Sequence, residues 1–177
     1  MKHFDFTDVQ LPPLQKGSHR SPKAGLCAME MIAFMERLPH SDAPACTCPV
    51  IAAYVRVLND EMPDRLRPRL LPYLSPLVGS VAPDYEVGRA QFFASVAREF
   101  AATYAACAAR AADAARAVAA AHAAAAAAAA RGAAYTVGVD AIWQRALDAI
   151  DGALAIGPEP KGFTDVTRAA DLAELCK

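Results

Sequence analysis

Glu30 combines a reactive side chain with an apolar setting, which makes it the first candidate catalytic residue of this chain. It follows Cys27 by three positions in a predicted helix over 21–37 that carries little other polarity. A carboxylate in such surroundings is ion-paired, hydrogen-bonded or protonated, because burial disfavours its charged form. We interpret Glu30 as a general base or metal ligand, or as the partner of Arg56 in a structural ion pair. The ion pair is favoured, since structural networks also contain perturbed carboxylates.

Cysteine and histidine residues of the N-terminal half have the ligand types of a zinc site. Three thiolates and one imidazole would close a tetrahedral structural site. The spacing of the two neighbouring cysteines, Cys-x-Cys, differs from the Cys-x2-Cys pairs of fingers and ribbons, and free cysteines are often small buried hydrophobic residues. Packing is therefore favoured over zinc, and a Cys48 nucleophile at a helix N-terminus is a further alternative. The candidate metal ligands are Cys27, His40, Cys46 and Cys48.

The loop 17–21 is a candidate anion site because it leads into a predicted helix N-terminus, where backbone amides favour negative groups. It lacks the Gly-Lys-Ser/Thr ending of a P-loop, and an ordinary capped loop is the favoured alternative. An acid at a helix C-terminus opposes the helix dipole, so we expect that Arg20 or His40 holds Asp60 or that Asp60 begins the next turn. The candidate ligand-binding residues are Ser18, His19, Arg20 and Asp60.

Helical patterns predict the elements that position these residues. Ser21-Pro22 opens the first helix, and Pro49 opens a second over 49–60. The segment 63–78 contains prolines at four-residue spacing, which predicts one or two short helices rather than a continuous one.

The alanine-rich stretch 84–131 predicts one long helix, because it contains no proline and a single early glycine. At 1.5 Å per residue it would span roughly 70 Å, longer than a domain of this size is wide. Its apolar stripe, on which we interpret His122 as a packed histidine, predicts antiparallel packing against a helix over 140–156. The expected fold is all-α, with a compact helical N-terminal half (1–82), this hairpin (83–157) and a linker with a short terminal helix (158–177), together forming one domain.

Composition narrows the function classes. The net charge is −1, and no basic stripe is present, so we do not expect a nucleic-acid binder. The first residues have no apolar run typical of a secretory signal, and no segment has the composition of a membrane span. With five cysteines and no sign of export, we expect reduced thiols in a cytoplasm.

The N-terminal half contains five short motifs: Gly17-Ser18-His19, Cys27-x-Met29-Glu30, the sequence PHSD at 39–42, Cys46-x-Cys48-Pro49 and Asn59-Asp60. Together they resemble a group of small alanine-rich bacterial and phage proteins without an established activity. The likeness covers the first sixty to eighty residues. It implies a cytoplasmic prokaryotic or phage setting and gives no residue a catalytic role.

Two hypotheses for function follow. The favoured one is a non-enzymatic helical binding or scaffold protein, such as a bacterial or phage inhibitor or adaptor, which acts through its long helix on a protein partner and forms a homo-oligomer. The alternative is a small enzyme that depends on a metal or binds an anionic ligand. Its site would lie near His19, Glu30, His40 and Asp60.

Overall fold

The computed structural model describes residues 11–103 and 139–163, together with 168, 171 and 172. Within these residues the secondary structure is helical, without strands, so the predicted all-α class is confirmed. Two short 3-10 turns, at Pro22–Ala24 and Arg67–Leu70, accompany the α-helices. The α-helices are α1 (Ala28–Met35), α2 (Pro49–Glu61), α3 (Leu71–Leu77), α4 (Pro83–Thr103) and α5 (Val139–Leu154).

The first helix begins at Ala28 rather than at the predicted Ser21. Ser21-Pro22 opens only the short 3-10 turn, which Gly25 ends with a φ of 135°. A side chain at this glycine would overlap those of Gln15 and His19, so the chain turns here in a conformation that only glycine adopts without strain. The helix ends before Arg37, whose φ of 58° leaves the helical region.

The second and third helical regions follow their prolines as predicted. Pro49 occupies the first turn of α2, and the 63–78 segment divides into the Arg67–Leu70 turn and α3. The Tyr54 hydroxyl of α2 donates a 2.8 Å hydrogen bond to the Ala146 carbonyl of α5, and its ring stacks on Phe93 of α4 at 4.2 Å. The second helix therefore joins the N-terminal half to the α4–α5 pair in one buried core.

Helices α4 and α5 pack antiparallel. At the middle of α4, the Phe92 ring lies against the bare backbone of Gly152 in the last turn of α5. Towards the end of α4, Glu99 forms an ion pair with Arg145 in the first half of α5. This agrees with the predicted hairpin over its described part, whereas 104–131 lies outside the described residues. No helix in 11–103 or 139–163 is long and apolar enough to cross a membrane.

A buried arginine connects the turn after α5 to the segment before α4 by hydrogen bonds. Arg89 is 0% exposed, and its Nε and Nη1 donate to the carbonyls of Ile156 and Ser80 at 2.9 and 2.5 Å. A guanidinium at the C-terminal end of a helix is favoured by the carbonyls and dipole of that end. Arg89 therefore ties the turn after α5 to the segment that precedes α4.

Candidate functional site

The Glu30 carboxylate lies at the N-terminus of α1 and is 1% exposed. Cys27 is the N-cap, and its sulfur accepts from the Glu30 amide at 3.5 Å. In return, Glu30 Oε2 accepts from the Cys27 amide at 2.8 Å, which completes a capping box. Glu30 therefore has a structural task in addition to any chemical one: it satisfies a backbone donor that the helix itself leaves free.

Two histidines surround this carboxylate. His19 donates to it twice, through its backbone amide to Oε1 at 2.5 Å and through Nδ1 to Oε2 at 2.8 Å. His40 Nε2 lies 3.5 Å from Oε1 and 2.8 Å from the His19 carbonyl. Because a carbonyl only accepts, Nε2 is the protonated nitrogen of His40, and its Nδ1 is buried without a hydrogen-bond partner among the described residues. The structure thus brings together three of the residues named for the alternative site, His19, Glu30 and His40.

Hydrogen bonds keep the Glu30 carboxylate ionised. Burial raises the pKa of Glu30, but the hydrogen bonds from Cys27 and His19 outweigh it, and the pKa lies below its usual value. Burial, with the Glu30 charge beside it, raises the pKa of the Cys27 thiol to about 12. Glu30 is thus an ionised acceptor at neutral pH, and Cys27 is a protonated thiol rather than a nucleophile.

The chain segment 14–19 is fastened over this helix end by a second set of buried polar groups. Asn59 is 0% exposed; its Oδ1 accepts from the Ala28 amide at 3.1 Å and its Nδ2 donates to the Gln15 carbonyl at 2.8 Å. Asp60 accepts from the Gly17 amide at 2.8 Å. Glu30, Asn59 and Asp60 therefore hold one loop against the ends of two helices.

Several predicted partners are wrong. Arg56 does not pair with Glu30 but donates to the Asp42 carbonyl at 3.0 Å, and Glu30 instead accepts a hydrogen bond from His19. Asp60 is held by Gly17 and by the Asn59 side chain rather than by Arg20 or His40. The reason is the same in both cases: the 14–19 segment brings its own backbone and imidazole donors to the acids.

The predicted anion site is only partly assembled. Ser18 and Arg20 are exposed, whereas His19 turns inward to Glu30 and Asp60 binds a backbone amide. The 3-10 turn that follows the loop is too short to provide a helix N-terminus. The residues around His19 therefore bind one another, and they present no convergent set of donors to an anion.

The four predicted zinc ligands occupy different structural positions. Cys27 caps α1, Cys48 precedes α2, and His40 binds the His19 carbonyl. Burial, with the Glu36 charge nearby, raises the pKa of the half-buried Cys46 to about 11. Among the residues that the structure describes, no group of three or more His, Cys, Asp or Glu side chains is arranged to hold a metal ion, so this set does not form a zinc site.

A groove elsewhere on the surface was not predicted from the sequence. It has a volume of about 380 Å³ and lies between the turn before α2, α2 itself and the start of α4. Its walls are mostly alanine, proline and valine, with one cation and one anion. Small residues of this kind carry no sequence signature for binding. The lining residues are Ala43, Pro44, Ala45, Thr47, Pro49, Ala52, Arg56, Val81 and Glu86.

The groove is held open by hydrogen bonds in its walls. Thr47 Oγ1 donates to the Pro44 carbonyl at 2.9 Å, and the Cys48 amide donates to Ser80 Oγ at 2.9 Å. The Gly79 amide donates to the Cys46 carbonyl at 2.8 Å. These contacts link the turn before α2 to the segment before α4. The groove is thus largely preformed, which lowers the entropic cost of binding.

One exposed apolar side chain lines the groove, and two more occur at the start of α4. Val81, in its wall, is 43% exposed, and Val87, next to Glu86 in α4, is 65% exposed. Together with Tyr85, at 44%, they are the large exposed hydrophobic residues of the described chain. A concave surface with mostly apolar walls is typical of binding sites.

Comparison with known proteins adds no relative: no protein-family model, curated protein or solved structure matches this chain.

Proposed function

We propose that this chain is a non-enzymatic helical binding protein, and that the groove between the turn before α2 and the start of α4 takes a segment of a protein partner. The supporting observation is a preformed groove whose mostly apolar wall includes Val81, a side chain that is 43% exposed. A bacterial or phage inhibitor or adaptor in the cytoplasm is one form that such a protein takes.

The lining of the groove defines the partner segment. Alanine and proline walls favour small apolar side chains, because apolar burial supplies most of the binding free energy. Arg56 is half-buried and has further guanidinium donors besides the one bound to Asp42, so it favours a carboxylate. Glu86 favours a basic side chain. We therefore expect a short segment in which an acidic and a basic residue flank small apolar ones.

A peptide display library tests this proposal. We expect selected peptides to have the composition described above, and their binding to be lost in Ala45→Trp, which fills the groove from an exposed position of its wall. Ala155→Trp, exposed after α5 and outside the groove lining, is the matched control and should retain binding. The absence of enriched peptides, or equal binding to both variants, would overturn the proposal.

A second candidate function, general acid–base catalysis at His19, is favoured by one observation. Glu30 Oε2 accepts from His19 Nδ1 at 2.8 Å, an arrangement that makes Nε2 the basic nitrogen of the ring. Measuring the rate at which diethyl pyrocarbonate modifies His19, by mass spectrometry, separates this candidate from a structural role. A catalytic base should react faster than His40, whose Nε2 binds a carbonyl; equal or slower reaction removes the candidate.

A further inference from the structure

The groove carries one positive and one negative side chain, and neither is neutralised within the described chain. Arg56 donates only to the Asp42 carbonyl, and Glu86 has no ion pair among the described residues. Both line the same groove. A surface with this pair of charges is complementary to itself, because a two-fold rotation places the cation of one copy opposite the anion of the other.

The apolar features of the same region are also complementary to each other. Val87 projects from the first turns of α4 with 65% of its surface exposed, next to Glu86 in the wall of the groove. The groove that Glu86 lines also contains small side chains such as Ala45 and Ala52. An exposed valine that follows a residue of the groove wall can enter such a concave alanine surface of a second copy in a symmetric, isologous contact.

On the basis of the proposed function, we infer that the occupant of the groove is a second copy of this chain, related to the first by a two-fold axis. In this dimer Arg56 faces Glu86 of the partner subunit, and Val87 enters the groove of the partner subunit. The same contacts occur twice, once on each side of the axis. A net charge of −1 for each chain opposes such association only weakly.

Analytical ultracentrifugation of charge variants of the full chain tests this inference. The wild-type chain should sediment as a dimer. Arg56→Glu and Glu86→Arg should each raise the dissociation constant by a factor on the order of ten or more, because each creates two like-charge contacts across the axis. Lys23→Glu and Glu159→Arg make the same charge changes at exposed positions outside the groove lining and should leave the dimer unchanged.

Mixing the two charge variants gives the decisive result. One Arg56→Glu chain and one Glu86→Arg chain restore opposite charges on both sides of the axis, so the mixture should regain the wild-type dimer. A monomeric wild-type chain, a dimer that neither variant weakens, or a mixture that stays monomeric would overturn the inference. Circular dichroism of each variant verifies its fold, and Glu86→Arg disturbs no described hydrogen bond.

Failure of this inference is distinguishable from failure of the proposed function. If peptides bind the groove but the wild-type chain is a monomer, the binding function stands and the occupant is another protein. If neither peptides nor a second copy bind, both are wrong. A dimer that persists in all four variants would locate self-association outside the groove.

Discussion

Replacement of Glu30 by glutamine tests the role of the buried carboxylate most sharply. The carboxylate accepts from the amides of His19 and Cys27 and from His19 Nδ1, with Oε1 and Oε2 both engaged. A glutamine has one oxygen and one NH₂ group, so in either orientation a buried amide donor faces another donor. An unsatisfied buried donor costs about 1–3 kcal/mol, and the lost charge assistance adds to this cost. We therefore expect Glu30→Gln to lower the free energy of unfolding by about 2–4 kcal/mol.

Urea unfolding followed by the fluorescence of Trp143 measures this change, since it is the single tryptophan and is 2% exposed. Glu36→Gln is the matched control at the other end of α1. Burial raises the pKa of Glu36, so its charge is disfavoured in the folded state and its removal should cost under about 0.5 kcal/mol. Equal losses of stability in the two variants would show that the hydrogen bonds of Glu30 do not stabilise the fold.

The same comparison predicts a pH dependence with a definite sign. Hydrogen bonds lower the folded-state pKa of Glu30, so the unfolded state binds its proton more readily. The stabilisation by ionised Glu30 is therefore complete above the ordinary glutamate value and is lost as pH falls through the lower folded-state value. The difference in stability between wild type and Glu30→Gln should narrow at acidic pH. A difference that widens as pH falls would contradict the lowered pKa.

Two further perturbations test the packing and the thiols. Gly152→Ala should lower the free energy of unfolding by about 1–3 kcal/mol, because a Cβ there overlaps the Phe92 ring. Gly152→Ala combined with Phe92→Leu should recover part of this loss. An unchanged stability of the single variant would contradict the close approach of α4 and α5. The Cys27 thiol has a pKa of about 12 and is 3% exposed, whereas the half-buried Cys46 has a pKa of about 11. In folded variants that retain only one of these cysteines, Cys27 should therefore react with a disulfide reagent more slowly than Cys46. The opposite order would contradict the burial of Cys27.

Helix positions could be predicted where proline and apolar periodicity act together. Pro49 predicts the start of α2 correctly, because a proline in the first turn costs no backbone hydrogen bond. The start of α1 was missed because Ser21-Pro22 is the stronger sequence signal, whereas the true N-cap is Cys27, whose sulfur is a weak acceptor. Gly25 is the signal that could have corrected it, since its φ of 135° interrupts the helix.

The candidate site could be predicted by residue type but not by partner. A buried Glu30 in an apolar helix is visible in the sequence, and so is its need for a donor. The path of the 14–19 segment brings His19 to Glu30 as this donor. Asn59 and Asp60 determine that path through contacts with the backbone of the segment. No local pattern encodes contacts at such separations. The groove was missed for the same reason, because it joins two stretches, 43–56 and 81–86, that are separated in the chain.

We propose that the groove lined by Arg56 and Glu86 is the surface through which this chain binds a second copy of itself. Isotope-filtered NOE spectroscopy of a mixed sample, in which one half of the chains carries labelled methyl groups, measures this contact directly. We expect intermolecular cross-peaks between the Val87 methyl groups of one copy and the methyl groups of Ala45 and Ala52 of the other. The absence of cross-peaks between these three residues in a verified dimer would contradict the proposed contact. A chain that stays monomeric at the concentration of the experiment would also contradict it.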